Sequence, residues 1–167
     1  MEKRLALSLM LTVACSDEGG AEEAATSGLE PSQNVSTLSL ADQTTWCRWA
    51  TELEFARLTP QAQCEPEAVL GTDTQANCEA SRNACIADYE ATRDEERTSR
   101  LDSCGRPEID ADCTVTVAQL DACVNDTLSV YEKLGAGLSC GDRNPDRTGF
   151  VEPKSCDGIP SGCFPSG

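Results

Sequence analysis

Histidine is absent from this sequence of 167 residues, and aromatic residues make up only 4% of it. Without histidine there is no imidazole to ligate zinc or to act as the base of a histidine-dependent hydrolase. No two cysteines are spaced as CxxC, so the common zinc and redox signatures are missing as well. With apolar residues at 39%, the chain has little material for a conventional hydrophobic core.

What the sequence has instead is 11 cysteines. Small exported domains that bury little apolar surface commonly depend on disulfides, and disulfides persist in oxidising compartments. The cysteines therefore predict structural disulfides, with no metal site and no cofactor. The length supports one domain or two very small ones.

The charge balance is strongly acidic, with 13 Lys and Arg against 29 Asp and Glu and a net charge of −16. Such a surface repels phosphate backbones and anionic lipid headgroups, so nucleic acid is not expected as a partner. A basic partner remains open. The simplest role of the charge is to keep the protein soluble outside the cell.

The first 15 residues have the layout of an export signal. Lys3 and Arg4 precede an apolar stretch that is too short to span a bilayer and that ends directly on Cys15. This arrangement resembles a bacterial lipoprotein signal. The resemblance implies that residues 1–14 are removed as a signal peptide and that Cys15 becomes the lipidated N-terminus. Simple secretion, with cleavage at or just beyond this point, is the alternative.

Residues 15–42 are small, acidic and polar, and they lack a periodic apolar face. Such a composition buries too little apolar surface to offset the entropy of ordering, so a flexible tether is predicted. A disulfide-stabilised helical domain is predicted over residues 43–167, and it ends in an irregular tail rich in Gly, Pro and Asp. The predicted fold class is all-α, with about three main helices.

Apolar residues at helical spacing place these helices at about 44–58, 74–97 and 117–135. The arginine-rich stretch 93–100 is predicted as a solvated extension of the second helix, and residues 101–114 as a loop. The predicted apolar faces consist of Trp46, Trp49, Ala50, Leu53 and Ala56 in the first helix and of Val117, Leu120, Val124, Leu128 and Tyr131 in the third.

The cysteine spacing repeats along the chain. Four cysteines beginning at Cys47 are separated by 17, 14 and 7 positions, and four beginning at Cys123 by 17, 16 and 7. Aligning these two cysteines also places Thr51 on Thr127. The repeat indicates a possible duplication of two units, 43–89 and 116–163.

Cys78 and Cys85 lie on one face of the second predicted helix, about 10 Å apart along its axis. A disulfide requires Cα atoms within about 7 Å, so each of the two must bond to a different segment. We place the first two helices antiparallel with level ends and repeat the plan in the second unit. The predicted bridges are Cys47–Cys85, Cys64–Cys78, Cys123–Cys163, Cys140–Cys156 and, between the units, Cys104–Cys113.

Two short motifs are weak signals for chemistry. Residues 137–141 match the G-x-S-x-G pattern of a nucleophile elbow, which needs a preceding strand and a base. Here a helix precedes the motif and histidine is absent, so a helix stop is predicted. The segment starting at Asp142 begins like a calcium loop, but Arg147 and Pro153 replace the required Gly and Glu, so a polar turn is predicted.

The combination of an apolar signal, an acidic tether and cysteine-linked helices resembles small cysteine-rich lipoproteins of the myxobacterial type. The resemblance rests on layout and spacing, and it covers most of the chain. It implies an exported helical domain of uncharacterised role, and it supplies no catalytic residue.

The sequence therefore predicts an exported, lipid-anchored, non-catalytic domain with a binding or structural role. Its predicted location is the envelope of a bacterium, on the periplasmic or the cell-surface side. Its predicted partners are the membrane, through a lipid on Cys15, and a protein or ligand that the sequence does not identify. A secreted, disulfide-rich effector or inhibitor protein is the alternative.

Overall fold

A computed structural model describes residues 24–105, 109–141 and 153–164, and four helices make up most of these described residues. They are α1 (Leu40–Arg57), α2 (Pro60–Gly71), α3 (Gln75–Ser103) and α4 (Val117–Gly137). Short 3₁₀ turns lie at Val35–Thr37, Lys154–Cys156 and Ser161–Cys163. The predicted fold class is confirmed, since the described chain is mostly helical, holds five disulfides and has an irregular C-terminal region.

Each of the four helices begins at a hydroxyl cap, at Ser39, Thr59, Thr74 and Thr116. In every case the side chain accepts a hydrogen bond from a backbone N–H in the first turn, which satisfies a donor that has no partner within the helix. Thr116 and Gln119 also form a reciprocal capping box. The predicted start of α4 is therefore confirmed.

Helix α2 was not predicted. The Thr59-Pro60 pair, interpreted as the end of the first helix, also begins the next one, because proline suits the first position of a helix. A second proline, Pro66, lies within α2 and further conceals its helical pattern.

The tether prediction for 15–42 is wrong over its described part. Val35 is fully buried, and its N–H donates to Val115 O at 2.9 Å. Ser27 donates two hydrogen bonds to the buried carboxylate of Asp121. The segment is ordered by backbone pairing, by polar contacts and by a few apolar residues, so it shows no apolar period. Helix α1 also begins inside the predicted tether, at Leu40.

The second half of α3 runs antiparallel to α1, and the two helices are joined by arginines. Arg97 forms a two-pronged ion pair with Glu52, with N–O distances of 2.8 and 2.5 Å, and Arg93 donates to Phe55 O. The prediction of a solvated extension at 93–100 is therefore wrong. The arginines contact a neighbouring helix through charge and hydrogen bonds, which a search for apolar periodicity does not detect.

All ten cysteines beyond Cys15 form disulfides with one another, but every predicted partner is wrong. The observed pairs are Cys47–Cys104, Cys64–Cys85, Cys78–Cys140, Cys113–Cys163 and Cys123–Cys156. Cys78 and Cys85 do reach different segments, as predicted.

The predicted register fails because α3 is long enough to pair with two helices. Its first half lies beside α2, where Cys85 meets Cys64. Its second half lies beside α1, where Cys104 at its C-cap meets Cys47. Cys78–Cys140 also crosses the two proposed units, so the plan of nested bridges within each unit is wrong. The duplication itself stays a prediction.

Helix α2 packs closely between α3 and α4. A Cβ atom added at Gly135 of α4 would lie 2.3 Å from the Cα of Ala62, so the two backbones touch. Nearby, the nearly buried carboxylate of Glu65 accepts from Cys140 N at 3.1 Å and lies 3.6 Å from Arg82. At Gly135 and Ala62 there is therefore no space for a ligand between α2 and α4.

Candidate functional site

A cavity of about 700 Å³ lies on the other side of α4, between α4 and α1. Its volume is within the range of about 300–1,000 Å³ that is typical of small-molecule sites. The two helices supply most of the walls, and Ile159 and Phe164 of the C-terminal segment add to them. The lining includes the apolar or aromatic side chains of Trp46, Ala50, Leu58, Val124, Leu128 and Tyr131.

Polar contacts made by Trp46 and by Arg57 hold α1 and α4 side by side. At one level, Trp46 Nε1 donates to Asp121 Oδ1 at 2.8 Å. Eleven residues further along each helix, Arg57 Nε donates to Glu132 Oε1 at 2.8 Å. Equal steps on both helices mean that α1 and α4 run parallel here. The cavity lies between these two contacts.

Two disulfides also contribute to the cavity walls. Cys47–Cys104 joins α1 to the end of α3, with Cα atoms 5.6 Å apart, and Cys123–Cys156 joins α4 to the C-terminal segment at 4.8 Å. Both helices that face the cavity are thus covalently fixed to another segment. Because these links do not break in an oxidising environment, they oppose collapse of the space between the helices.

A threonine lies beside each of these disulfides. The Thr51 hydroxyl is 3.9 Å from Cys104 Sγ, and the Thr127 hydroxyl is 3.5 Å from Cys156 Sγ. A disulfide sulfur carries no hydrogen and is a weak acceptor, so each hydroxyl has at most a weak partner there. In the parallel register of α1 and α4, Thr51 and Thr127 lie at nearly the same level on opposite walls.

The charged groups in the lining neutralise each other. Arg100 of α3 binds Glu54 of α1 through both guanidinium Nη atoms, at 2.8 and 2.5 Å. The hydrogen bond that Arg100 donates to Glu54 raises the pKa of Arg100, although partial burial acts in the opposite direction. The guanidinium also lies 5.4 Å from the ring centroid of Phe55. This pair therefore offers no uncompensated charge to an ionic ligand.

The site residues predicted from the sequence have different outcomes. Cys15 and the calcium-like motif from Asp142 lie outside the described residues. The motif at 137–141 is the end of α4, and Ser139 Oγ accepts a hydrogen bond from Gly141 N. The helix stop is therefore confirmed. Over 24–105, 109–141 and 153–164, no group of three or more Cys, Asp or Glu side chains is arranged to hold a metal ion.

The cavity was not predicted, although the sequence held a signal for it. The alignment of Cys47 with Cys123 places Thr51 on Thr127, and these four residues all line the cavity. The repeated spacing identifies equivalent positions on α1 and α4. It does not reveal that the two helices lie next to each other, because that depends on contacts between residues about 75 positions apart.

No protein-family model, curated protein or solved structure matches this chain significantly. None of the helices in the described part of the chain combines the length and the apolar character needed to cross a membrane. Five disulfides are typical of proteins that fold in an oxidising, extracytoplasmic compartment.

Proposed function

We propose that this chain is an exported, lipid-anchored and non-catalytic binding protein that holds a ligand between α1 and α4. The observation that carries the proposal is the cavity of about 700 Å³ with disulfides in its walls. The space is partly open to solvent and lined mainly by apolar atoms, so a ligand can enter it and would shield that apolar surface from water. A domain that fixes such a space covalently is suited to binding.

The polar lining supports a role without catalysis. General acid–base and nucleophilic mechanisms need a carboxyl, hydroxyl or thiol activated by a neighbouring base. Here Glu54 is held by Arg100, and the hydroxyl of Ser103 donates to Arg100 O. The lining cysteines, Cys47, Cys123 and Cys156, are all in disulfides.

The proposed lipid anchor rests on the N-terminal sequence and on the cysteine pairing. The ten cysteines from Cys47 onward pair among themselves, so Cys15 is the odd cysteine among 11. An odd cysteine in an exported protein calls for a separate explanation. Lipidation at the end of an apolar signal provides one, and removal of Cys15 by cleavage beyond it provides another, so the pairing supports only that Cys15 takes no part in the disulfides.

Membrane fractionation of a bacterial host that expresses the full chain tests the anchor. We expect the wild type in the membrane fraction, with an unreduced intact mass that corresponds to residues 15–167 plus a lipid. The variant Cys15→Ser should move to the soluble fraction. The neighbouring change Ser16→Ala is the matched control and should leave the protein on the membrane.

A soluble wild-type protein that begins beyond residue 15 would contradict the anchor and favour the released effector or inhibitor. In either case the same unreduced protein can be digested and mapped. The map should show the five bridges of the structure. A free thiol at Cys47 or Cys123 would remove the covalent support of the cavity walls.

A further inference from the structure

We propose that the ligand of this cavity is a neutral, elongated and mainly apolar molecule with one hydroxyl or carbonyl group, which lies between Thr51 and Thr127. This inference rests on the proposed binding function and specifies its ligand class. It is argued from the length of the cavity, the charges in its wall and the two opposed hydroxyls.

The length of the cavity follows from the residues that line α1. Trp46 and Leu58 both belong to the lining and are 12 residues apart. At 1.5 Å per residue, this stretch of backbone is about 18 Å long. A volume of about 700 Å³ spread over this length describes a slot rather than a sphere. A slot of this shape accommodates a chain or a set of fused rings better than a compact polar metabolite.

The charged residues in the cavity wall and the net charge of the protein favour a neutral ligand. An anionic ligand could pair with Arg100 only by displacing Glu54 from its two-pronged contact. It would also enter a protein with a net charge of −16, which repels it at long range. A cationic ligand could pair with Glu54 only by displacing the guanidinium of Arg100, which already binds this carboxylate. Burying an unpaired charge in the apolar slot would be strongly unfavourable.

The two threonines identify where one polar group is tolerated. Thr51 is 5% exposed and Thr127 is half-buried, and each hydroxyl lies at weak hydrogen-bonding distance from a disulfide sulfur. A hydroxyl or carbonyl oxygen is a much stronger acceptor than sulfur. A ligand oxygen at this level can therefore accept from either wall, while the rest of the ligand contacts apolar side chains.

Two fluorescent probes of nearly the same shape test the charge argument. N-phenyl-1-naphthylamine is neutral, and 8-anilinonaphthalene-1-sulfonate has the same ring system with an added sulfonate. We expect the purified, disulfide-bonded protein to bind the neutral probe at least about tenfold more tightly than the anionic one. In competition, 1-decanol should displace the neutral probe at lower concentration than decanoate.

Matched substitutions on α1 test whether binding occurs in the cavity. Ala50 lines the cavity and Ala41 is exposed on the same helix. Ala50→Phe should weaken binding of the neutral probe about tenfold or more by occupying ligand volume, whereas Ala41→Phe should leave it unchanged. Circular dichroism and thermal melting establish that both variants are folded.

A second test of binding in the cavity uses variants that do not change the volume of the cavity. The chain has two tryptophans, and of these Trp46 lines the cavity while Trp49 does not. In the variant Trp49→Phe, emission from Trp46 should be quenched when the neutral probe binds. Separately, Thr51→Val should weaken competition by 1-decanol about five- to tenfold, the loss expected for one hydrogen bond. It should leave affinity for the naphthylamine probe unchanged.

The outcomes separate this inference from the proposed function. Tighter binding of the sulfonate probe or of decanoate, with loss in Ala50→Phe, would overturn the ligand class and keep the cavity as a binding site. Absence of binding by every probe, or equal binding by folded Ala50→Phe and Ala41→Phe proteins, would overturn both. Unchanged competition by 1-decanol in Thr51→Val would overturn the role given to the hydroxyls.

Discussion

Helix α4 has two very different neighbours. On one side its backbone at Gly135 touches Ala62 of α2, with no room for even a methyl group. On the other side α4 faces α1 across the cavity, although Trp46–Asp121 and Arg57–Glu132 contacts connect the two helices. The same helix therefore forms a closed interface and an open one.

The difference follows from where large and small side chains lie. At the α2 interface a glycine meets an alanine, so the backbones approach closely. At the α1 interface long side chains, Trp46 and Arg57, lie at the two levels of contact, and the smaller Ala50 and Thr51 lie between them. Large residues at both ends hold the helices apart, and small residues between them leave the space unfilled. The cavity is thus encoded by residue size along one face of α1.

The largest expected effect comes from removing the disulfide beside the closed interface, which joins α3 to the segment after α4 and packs with Ala68 and Val69 of α2. The double variant Cys78→Ala/Cys140→Ala removes a bridge that spans 62 residues and should lower the free energy of unfolding by about 2–5 kcal/mol. Urea denaturation measures this loss. Since neither cysteine lines the cavity, the folded variant should still bind the neutral probe.

The matched comparison for this variant is Cys123→Ala/Cys156→Ala, which removes a bridge from the cavity wall. Its stability loss should be in the same range of about 2–5 kcal/mol, but probe affinity should fall as well. If the first double variant loses the probe and the second retains it, the division into a closed and an open interface is wrong.

A medium effect is expected where the backbones touch. Gly135→Ala should destabilise the protein by about 1–3 kcal/mol, because the new methyl group overlaps Ala62 and the helices must separate. Gly137→Ala is the control on the same helix, since a Cβ atom there meets nothing within 4 Å. The control should change stability by no more than about 0.5–1 kcal/mol, and in the stabilising direction, because it reduces the freedom of the unfolded chain. Equal effects in thermal denaturation would mean that the contact with α2 is loose.

The elements that were predicted correctly from the sequence are those with a periodic apolar face and a capping residue. Helix α4 has both, with a stripe that includes the buried Leu120 and Leu128 and a capping box at Thr116. The apolar face predicted for α1 is only partly right. Trp46 is buried, but the buried face continues through Thr51 and Phe55, while Ala56 is exposed.

The elements that it missed are held by other forces. Helix α2 begins with the proline that was interpreted as a stop. The segment around Val35 is ordered by backbone hydrogen bonds to residues about 80 positions away. The second half of α3 contacts α1 through arginines. In the last two cases the stabilising partner is distant in sequence, so no local pattern indicates it.

The predicted disulfide connectivity is wrong for a related reason. The predicted register required that the helix containing Cys85 begin level with the end of α1. The additional helix α2 moves the start of α3 away, so Cys85 reaches Cys64 and leaves Cys104 to meet Cys47. A single undetected helix thus changed every pairing in the first half of the chain. The cavity depends on the same arrangement, because it places Arg100 of α3 beside Glu54.

The smallest expected effect comes from removing either of two ion pairs that link α1 to α3. Arg97–Glu52 and Arg100–Glu54 are both two-pronged and both partly exposed, at 42%/43% and 39%/35% of the side chains, but only the second lines the cavity. Arg97→Gln and Arg100→Gln should each lower the free energy of unfolding by about 0.2–1 kcal/mol, and added salt should reduce both losses.

Binding distinguishes the two variants where stability does not. Arg100→Gln leaves the Glu54 carboxylate without its guanidinium, so affinity for the anionic probe should fall further and a cationic probe should gain, whereas Arg97→Gln should alter neither. The pKa of Arg100 is raised by Glu54, so its folded-state charge is lost only when the pH rises through that raised value. The contrast between the two variants should therefore not weaken as the pH is raised from neutral to about 9. Equal probe binding by both variants would show that the charges at the open interface do not contribute to its selectivity.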